Sequence, residues 1–227
     1  MGESLASRLA DIDARIADAA SSAGRDASEL TRIVVTKFHS ADVIRELAAL
    51  GVGDVGENRQ QELTAKAAEV ADLGLRWHFV GQVQTKKARA VRAAASVIHS
   101  IDREKVADAF DVAGDDGSAL DVLVQVNLTD DPARGGVAPG DIERLAEHVA
   151  GCRSLRLRGI MAVAPLDEPP AAAFARLHDY ARRLRTVAPD ATWISAGMTA
   201  DFAEAIAAGA THLRIGSAIT GPRPTRG

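Results

Sequence analysis

The sequence predicts a single (β/α)8 TIM barrel with an extra N-terminal helix, and three observations carry that expectation. Short runs rich in Val, Ile and Leu recur eight times along the chain. Amphipathic stretches separate them, an order that argues for a parallel sheet buried on both faces. The length, 227 residues, is close to the roughly 250 of one such barrel and leaves little for a second large domain. Eight strand–helix units close into a barrel more economically than they spread into an open sheet. Residues 1–227 are therefore expected to form one domain.

Residues 1–24 read as the extra helix. Leu5, Leu9, Ile12 and Ile16 share one face, Gly24 is the stop, and the helix is expected to lie across the barrel. Strands are predicted at 32–36, 53–55, 76–80, 96–99, 120–126, 155–160, 192–194 and 211–214. Helical stretches fill 41–50, 60–73, 84–95, 103–113, 141–150, 171–187 and 198–208. In the first of these, Val43, Ile44, Leu47 and Leu50 fall on one side. The tail 221–227, with two prolines and two glycines, is expected to fray. Gly51-Val-Gly53-Asp-Val-Gly56 fits the dinucleotide fingerprint G-x-G-x-x-G. That motif must follow a strand and open a helix, whereas here a helical stretch precedes it. Gly51 therefore reads as a helix stop and Gly56 as room for a loop.

The formal charge of −4, from 27 basic and 31 acidic side chains, gives no broad pull toward nucleic acid or anionic membrane. Cys152 is the only cysteine, which excludes intrachain disulfides and cysteine-rich metal clusters. The first residues lack the basic and apolar regions of a secretory signal, and Ala6 breaks a myristoylation motif. No apolar run reaches the roughly 18 residues of a membrane span. A soluble, cytoplasmic protein is expected.

Barrel enzymes work at the C-terminal ends of their strands. Lys37 stands there, after Ile33-Val34-Val35-Thr36, and strand alternation points it inward with Ile33 and Val35. The other lysines, Lys66, Lys86, Lys87 and Lys105, lie in helical, polar stretches. A free lysine, with a pKa of about 10.4, is protonated and non-nucleophilic at neutral pH. An apolar pocket favours the neutral amine and suits it to imine formation. On position alone, a lysine reaching out of the strand end to solvent accounts for Lys37 equally well.

Arg214 ends the eighth strand, which in a closed barrel neighbours the first. Ile215-Gly216-Ser217-Ala218 then turns into a final helix, and Ser195-Ala-Gly197-Met198-Thr199 follows the seventh strand. Barrel phosphate sites commonly lie in these two loops, where backbone N–H groups and hydroxyls can cradle an anion. An amine beside a phosphate cradle fits two chemistries: a Schiff-base sugar-phosphate aldolase, or tethering of pyridoxal 5′-phosphate. A guanidinium only donates hydrogen bonds and keeps its charge, so facing a pyridine nitrogen it would leave that atom unprotonated. An aldolase also needs nearby acid and base groups, which the sequence does not identify.

Longer fragments add a resemblance. Val34-Val-Thr-Lys37, Val55-Gly-Glu-Asn58, Trp77-His-Phe-Val-Gly81-Gln-Val-Gln84, Ser100-Ile-Asp-Arg103, Val124-Gln-Val-Asn127, Leu157-Arg-Gly-Ile-Met161, Ser195-Ala-Gly-Met198 and Arg214-Ile-Gly-Ser217 span nearly the whole chain. Together they resemble the pyridoxal phosphate homeostasis proteins, relatives of the fold type III barrel of alanine racemase. The resemblance implies that Lys37 carries pyridoxal 5′-phosphate as a Schiff base and that Arg214 faces the ring nitrogen. It further implies that Ser195, Thr199, Gly216 and Ser217 surround the phosphate, with Met198 and Asn58 as additional cofactor contacts. The implied function is intracellular homeostasis of vitamin B6 without sustained catalysis and with no catalytic residue. Other B6 vitamers and pyridoxal-phosphate-dependent apo-enzymes are the implied partners of a monomer.

A single-domain amino-acid racemase is the competing enzyme reading. Racemisation needs an acid/base group on each face of the substrate. In the racemases this barrel resembles, the second group is a tyrosine from a partner subunit's C-terminal domain, which this chain is expected to lack. Its one tyrosine, Tyr180, falls in an outer helical stretch. The sequence departs from the family at Thr85, usually Asn, at Arg134, usually Lys, and at Thr220, usually Phe. His39, His78, His99, His148, His178 and His212 show no close-spaced metal pattern, and no metal site is expected. His78 reads as a satisfied interior histidine, and Trp77 and Phe79 as packing.

Overall fold

The computed structural model describes residues 3–114 and 117–223. Its strands are β1 (Thr31–Val35), β2 (Asp54–Glu57), β3 (Arg76–Phe79), β4 (Val97–Ile101), β5 (Leu120–Gln125), β6 (Leu155–Met161), β7 (Trp193–Ser195) and β8 (His212–Ile215). Each pairs in parallel with the next, and β8 pairs back onto β1, closing the predicted barrel. The helices are α1 (Leu5–Ser22), α2 (Ala41–Ala49), α3 (Gln60–Glu69), α4 (Ala88–Arg92), α5 (Glu104–Val112), α6 (Ile142–Ala150), α7 (Pro170–Val187), α8 (Phe202–Ala207) and α9 (Ser217–Thr220). Among the described residues, no helix is long and apolar enough to cross a membrane.

Several expected elements change at their edges for local reasons. The stretch 84–95 is a 3-10 turn, Thr85–Lys87, followed by the single-turn α4. The stretch 198–208 begins as a turn instead, because the Met198 N–H donates to Asp201 Oδ1 at 2.6 Å. Gly51, with φ 86°, does stop α2, but Gly56 lies inside β2. A Cβ there would stand 3.0 Å from Ile33 Cγ2, so Gly56 makes room for strand packing rather than for a loop. Residues 224–227 of the tail lie outside the described residues.

The helix α1 does not lie across the barrel. It packs beside α8 and α9, with Arg8 Nε donating to the Ile219 carbonyl at 2.7 Å and Asp13 accepting from Arg32 at the start of β1. The four-residue α9 is too short to cover the β8–β1 seam, and α1 fills that place in the helical ring. Its buried stripe of Leu5, Leu9, Ile12, Ile16 and Ala20 joins the outer core.

The molecule has two cores of different chemistry. The large one, between sheet and helices, takes the outward residues of each strand, such as Val34, Val55, Trp77, Phe79, Ile98 and Val122. Trp77 and Phe79 are packing residues, as expected. Inside the barrel the apolar cluster is small: Val97, Leu123 and Met161, with Trp193 against it. Branched aliphatic residues usually fill such interiors. Here His78, His99, Ser195, His212 and Arg214 are buried as well.

Candidate functional site

Lys37 follows β1 in a tight turn closed by the His39 N–H on the Thr36 carbonyl, 3.1 Å. The side chain is exposed, with Nζ 6.0 Å from the centre of the Phe38 ring. Among the described residues, the apolar pocket expected to desolvate it is not formed. The strand ends at Val35, and the turn carries Lys37 onto the rim. Phe38 adopts φ 71°, a left-handed conformation rare outside glycine. Its N–H donates to Glu62 Oε2 at 2.9 Å.

Lys66, which the sequence places in a helical, polar stretch, is buried beneath this turn. Its ammonium donates to the Thr36 carbonyl at 3.0 Å, to Glu57 Oε1 at 2.7 Å and to Glu62 Oε2 at 3.2 Å. The Thr36 hydroxyl donates to the same Glu57 oxygen at 2.6 Å. Burial pushes the Glu57 carboxyl above its ordinary range, with Lys66 and Thr36 pulling it back in part. For Glu62, burial acts upward too, but the Phe38 N–H and Lys66 outweigh it and hold the carboxyl low. The helical spacing of Glu62 and Lys66 is legible in sequence. Their approach to the β1 turn is not.

Arg214 is level with Ile33 in the β1–β8 pairing, so it and Lys37 belong to the same end of the barrel. Its guanidinium is buried, donating from Nη1 to Ser195 Oγ at 2.7 Å and from Nη2 to the Ala162 carbonyl at 2.8 Å. Burial lowers its pKa to about 10, which leaves it cationic at neutral pH. Ser195, fully buried, sits under the guanidinium, and its Oγ is also 2.9 Å from His99 Nδ1.

The two loops expected to hold an anion lie beside this pair. Gly197, at φ 91°, turns the loop after β7, and its carbonyl accepts the Arg214 N–H at 2.9 Å. Beyond it, Thr199 is half-buried and Met198 is exposed. Gly216 caps α9 over the end of β1, where an added Cβ would stand 3.5 Å from the Val35 carbonyl oxygen. Ser217, at the start of α9, is exposed. Asn58 follows β2 half-buried, and its Oδ1 is buried with no hydrogen-bond partner among the described residues. Among the residues that depart from the family, Thr220 donates to the Gly216 carbonyl at 3.3 Å and Thr85 starts the 3-10 turn before α4. Arg134 is exposed in the loop after β5.

The barrel interior holds a feature that the linear reading missed. His99 Nε2 is 2.9 Å from His78 Nδ1, and His78 Nε2 is 2.8 Å from Asp54 Oδ1. Each imidazole lies on the inward phase of its strand, and that alternation was the one available sequence signal. His212 packs alongside, 4.3 Å from Trp193 between ring centres, with Nδ1 2.8 Å from Thr211 Oγ1. On the outer ring, Asp108, His148 and Cys152 bring three metal-type ligand atoms within 4.8 Å of one another. Asp108 comes from a different helix, so sequence spacing hid the group. Burial and nearby carboxylates push the Cys152 thiol up to about 11, away from the thiolate that binds metal.

Comparison with known proteins places this geometry. The family model of the alanine racemase N-terminal domain matches residues 8–224. The pyridoxal phosphate homeostasis protein of Pseudomonas aeruginosa is 40% identical over 223 residues, covering 96% of each chain. That of Mycobacterium tuberculosis H37Rv is 38% identical over 238 residues, covering 96% of this chain and 92% of its own. PipY of Synechococcus elongatus, solved with PLP bound, superposes with a TM-score of 0.84 at 33% identity, over 96% of this chain and 100% of its own.

Proposed function

The chain belongs to the pyridoxal phosphate homeostasis family, built on the alanine racemase N-terminal domain, and we propose that its barrel mouth holds pyridoxal 5′-phosphate with Lys37 as the covalent anchor. The observation that carries the reading is the pairing of a rim amine with a buried guanidinium. Lys37, in the turn after β1, and Arg214, on the adjacent β8, lie toward the same end of the barrel, flanked by the loops after β7 and β8.

The donor set fits the cofactor. When bound, pyridoxal phosphate supplies an aldehyde that condenses with an amine and a ring that withdraws electrons. Lys37 provides the amine from a turn whose flanks are fixed by Lys66 and Glu62. Arg214 would donate a hydrogen bond to the ring nitrogen and, being cationic, would oppose a second positive charge there. Thr199, Gly216 and Ser217 offer hydroxyls and the first N–H groups of α9 to the phosphate. Asn58 brings an unsatisfied polar atom to the same rim. Ser195 contributes from beneath, through Arg214, and Met198 borders the loop.

The same proposal covers storage and release of the cofactor without sustained amino-acid turnover, in a cytoplasmic monomer whose further partners are other B6 vitamers and pyridoxal-phosphate-dependent apo-enzymes. Tyr180, the chain's one tyrosine, lies on α7 in the outer ring with Arg183 over its ring. Borohydride reduction of the loaded protein should fix the cofactor on the Lys37 peptide, and Lys37→Ala should abolish the label while keeping the circular dichroism spectrum. Single amino-acid enantiomers incubated with loaded protein should keep their chirality. Labelling centred on Lys86 or Lys105, or rapid inversion dependent on Lys37, would overturn this reading.

A further inference from the structure

We infer that Asp54, at the N-terminal end of the barrel, is a positioning residue for Arg214 at the opposite end, acting through a one-directional hydrogen-bond chain that His78, His99 and Ser195 carry through the barrel interior. The inference rests on the proposed cofactor site only for what Arg214 faces. The chain itself is a property of this protein's own side chains.

The links are continuous. Arg214 Nη1 lies 2.7 Å from Ser195 Oγ, which lies 2.9 Å from His99 Nδ1. His99 Nε2 lies 2.9 Å from His78 Nδ1, and His78 Nε2 lies 2.8 Å from Asp54 Oδ1. The two ends decide where the hydrogens sit. A guanidinium only donates, and an ionised carboxylate only accepts. His78 must therefore carry its hydrogen on Nε2 to meet Asp54, which leaves Nδ1 as an acceptor. His99 then donates from Nε2 and accepts at Nδ1, so the Ser195 hydroxyl donates to His99 and its oxygen receives Arg214. Every link holds one hydrogen and every donor has one acceptor.

The alternatives fail on counting. If either imidazole gains a proton while the others keep theirs, two hydrogens meet in one link. If His78 and His99 both switch tautomer, the Ser195 oxygen faces donors from both sides. Its own hydrogen then has no acceptor along the chain, deep in a site where His99 and Ser195 are fully buried. The surroundings agree with the neutral arrangement. Burial lowers His78, with Asp54 opposing in part, and lowers His99 further, with the neighbouring imidazoles and the Arg214 and Arg76 guanidiniums acting in the same sense. For Asp54 burial acts upward, but the His78 contact and neighbouring cations hold it ionised.

The effect on Arg214 follows. Among the described residues its guanidinium forms no ion pair, and its hydrogen bonds go to a hydroxyl and a carbonyl. The chain turns the Ser195 lone pairs toward Arg214 and aligns a row of dipoles that ends in the Asp54 charge. Removing the acceptor at Asp54 frees both imidazoles to switch, and a switched His99 turns the seat of Arg214 into a crowded group of donors.

Histidine-selective 15N NMR reads the tautomers directly, without cofactor. In the wild-type protein at neutral pH, His78 and His99 should both be protonated on Nε2 alone. In Asp54→Ala, His99 should populate the Nδ1–H form, whereas Asp54→Asn, whose amide oxygen still accepts, should restore the wild-type pattern. With pyridoxal phosphate added, Asp54→Ala should bind about tenfold more weakly, the scale of one orphaned buried polar group, and show a shifted cofactor absorption. Asp54→Asn should stay near wild type. A wild-type His99 protonated on Nδ1 would overturn the inference, and that measurement needs no variant to fold. So would Asp54→Ala with unchanged tautomers, or with changed tautomers but unchanged affinity and spectrum. If the wild-type protein takes up no pyridoxal phosphate, the proposed function falls while the tautomer measurement still decides the chain.

Discussion

Thr36, Lys37 and Phe38 make the turn at the rim of the barrel, and a polar side chain grips each flank of the lysine. Lys66 holds the Thr36 carbonyl, and Glu62 holds the Phe38 N–H at a φ that few non-glycine residues adopt. A single exposed amine can thus be held in place without burying it. The anchoring pair is itself buried, with Glu57 fully enclosed and Lys66 8% exposed. Breaking such a pair by removing one partner costs about 3–5 kcal/mol, because the other charge is stranded. Lys66→Met is expected to lower the melting temperature by roughly 10 °C, at ~2–4 °C per kcal/mol for a chain of this size. Adding Glu57→Gln to Lys66→Met removes the stranded charge and should recover part of the loss. Thermal melts of the two variants check this, and equal melting points would show that Glu57 is not the stranded group.

Strand register decides where these side chains point. Between Ile98 and Ile101, β4 advances three residues while β5 advances two, from Val122 to Val124. This extra residue falls at His99 and Ser100, and bulges of this kind re-aim side chains near sites. A second shift, where Leu157 and Gly159 of β6 meet consecutive residues of β5, leaves Arg158 extra; its guanidinium lies 4.4 Å over the Trp193 ring. The loops above the strands are set just as closely. Gly81, after β3, packs on the backbone of Asn58, where an added Cβ would fall 2.0 Å from the Asn58 carbonyl oxygen. Gly81→Ala must push the β2 loop away and should cost about 1–3 kcal/mol, as overpacking does. If Asn58 contacts the cofactor, affinity for pyridoxal phosphate falls along with the melting point. A variant that melts earlier but binds with wild-type affinity would remove Asn58 from the site.

At the scale of the molecule, an interior built around histidines makes the fold sensitive to acid. Burial holds His212 at about 3 and lowers His78 and His99 below their ordinary value of 6.5. The unfolded chain therefore binds protons that the folded barrel refuses. Stability is fully present above pH 6.5 and is lost as pH falls from there toward the folded values. Each histidine that stays neutral contributes a slope of about 1.4 kcal/mol per pH unit. Glu57, raised by burial, works in the opposite sense, since its contribution is present at low pH and lost as pH rises through its folded value. Asp102, raised by burial in the same way, joins it, while His39 is lowered with the other three, and two carboxyls against four imidazoles leave the histidines dominant. Urea midpoints should be flat from pH 8 to 7 and drop steeply by pH 5.5. A midpoint unchanged across that range would contradict a neutral interior.

The barrel was legible because its cause is local and repetitive. Apolar runs at Ile33–Val35 or Val122–Val124, separated by amphipathic helices, have few other ways to bury both faces of a sheet. Lys37 and Arg214 stood out because strand ends, their order and barrel closure follow from that same pattern, and the resemblance of the loop motifs agreed with it. What linear reading missed depends on contacts between distant segments. Lys66 looked like any lysine of a helical, polar stretch, since nothing in its neighbourhood announces that Glu57 and the Thr36 carbonyl lie under it. Helix α1 was placed across the barrel because its stripe shows that it packs, but not where; the short α9 decides that. The histidine chain joins β2, β3, β4, β7 and β8, and two of its links span 96 and 24 residues. Periodicity assigns each side chain to a face of its strand. Only barrel closure and the bulge in β4 bring those faces together at hydrogen-bond distance, because register is set by how whole strands pack and not by any one of them.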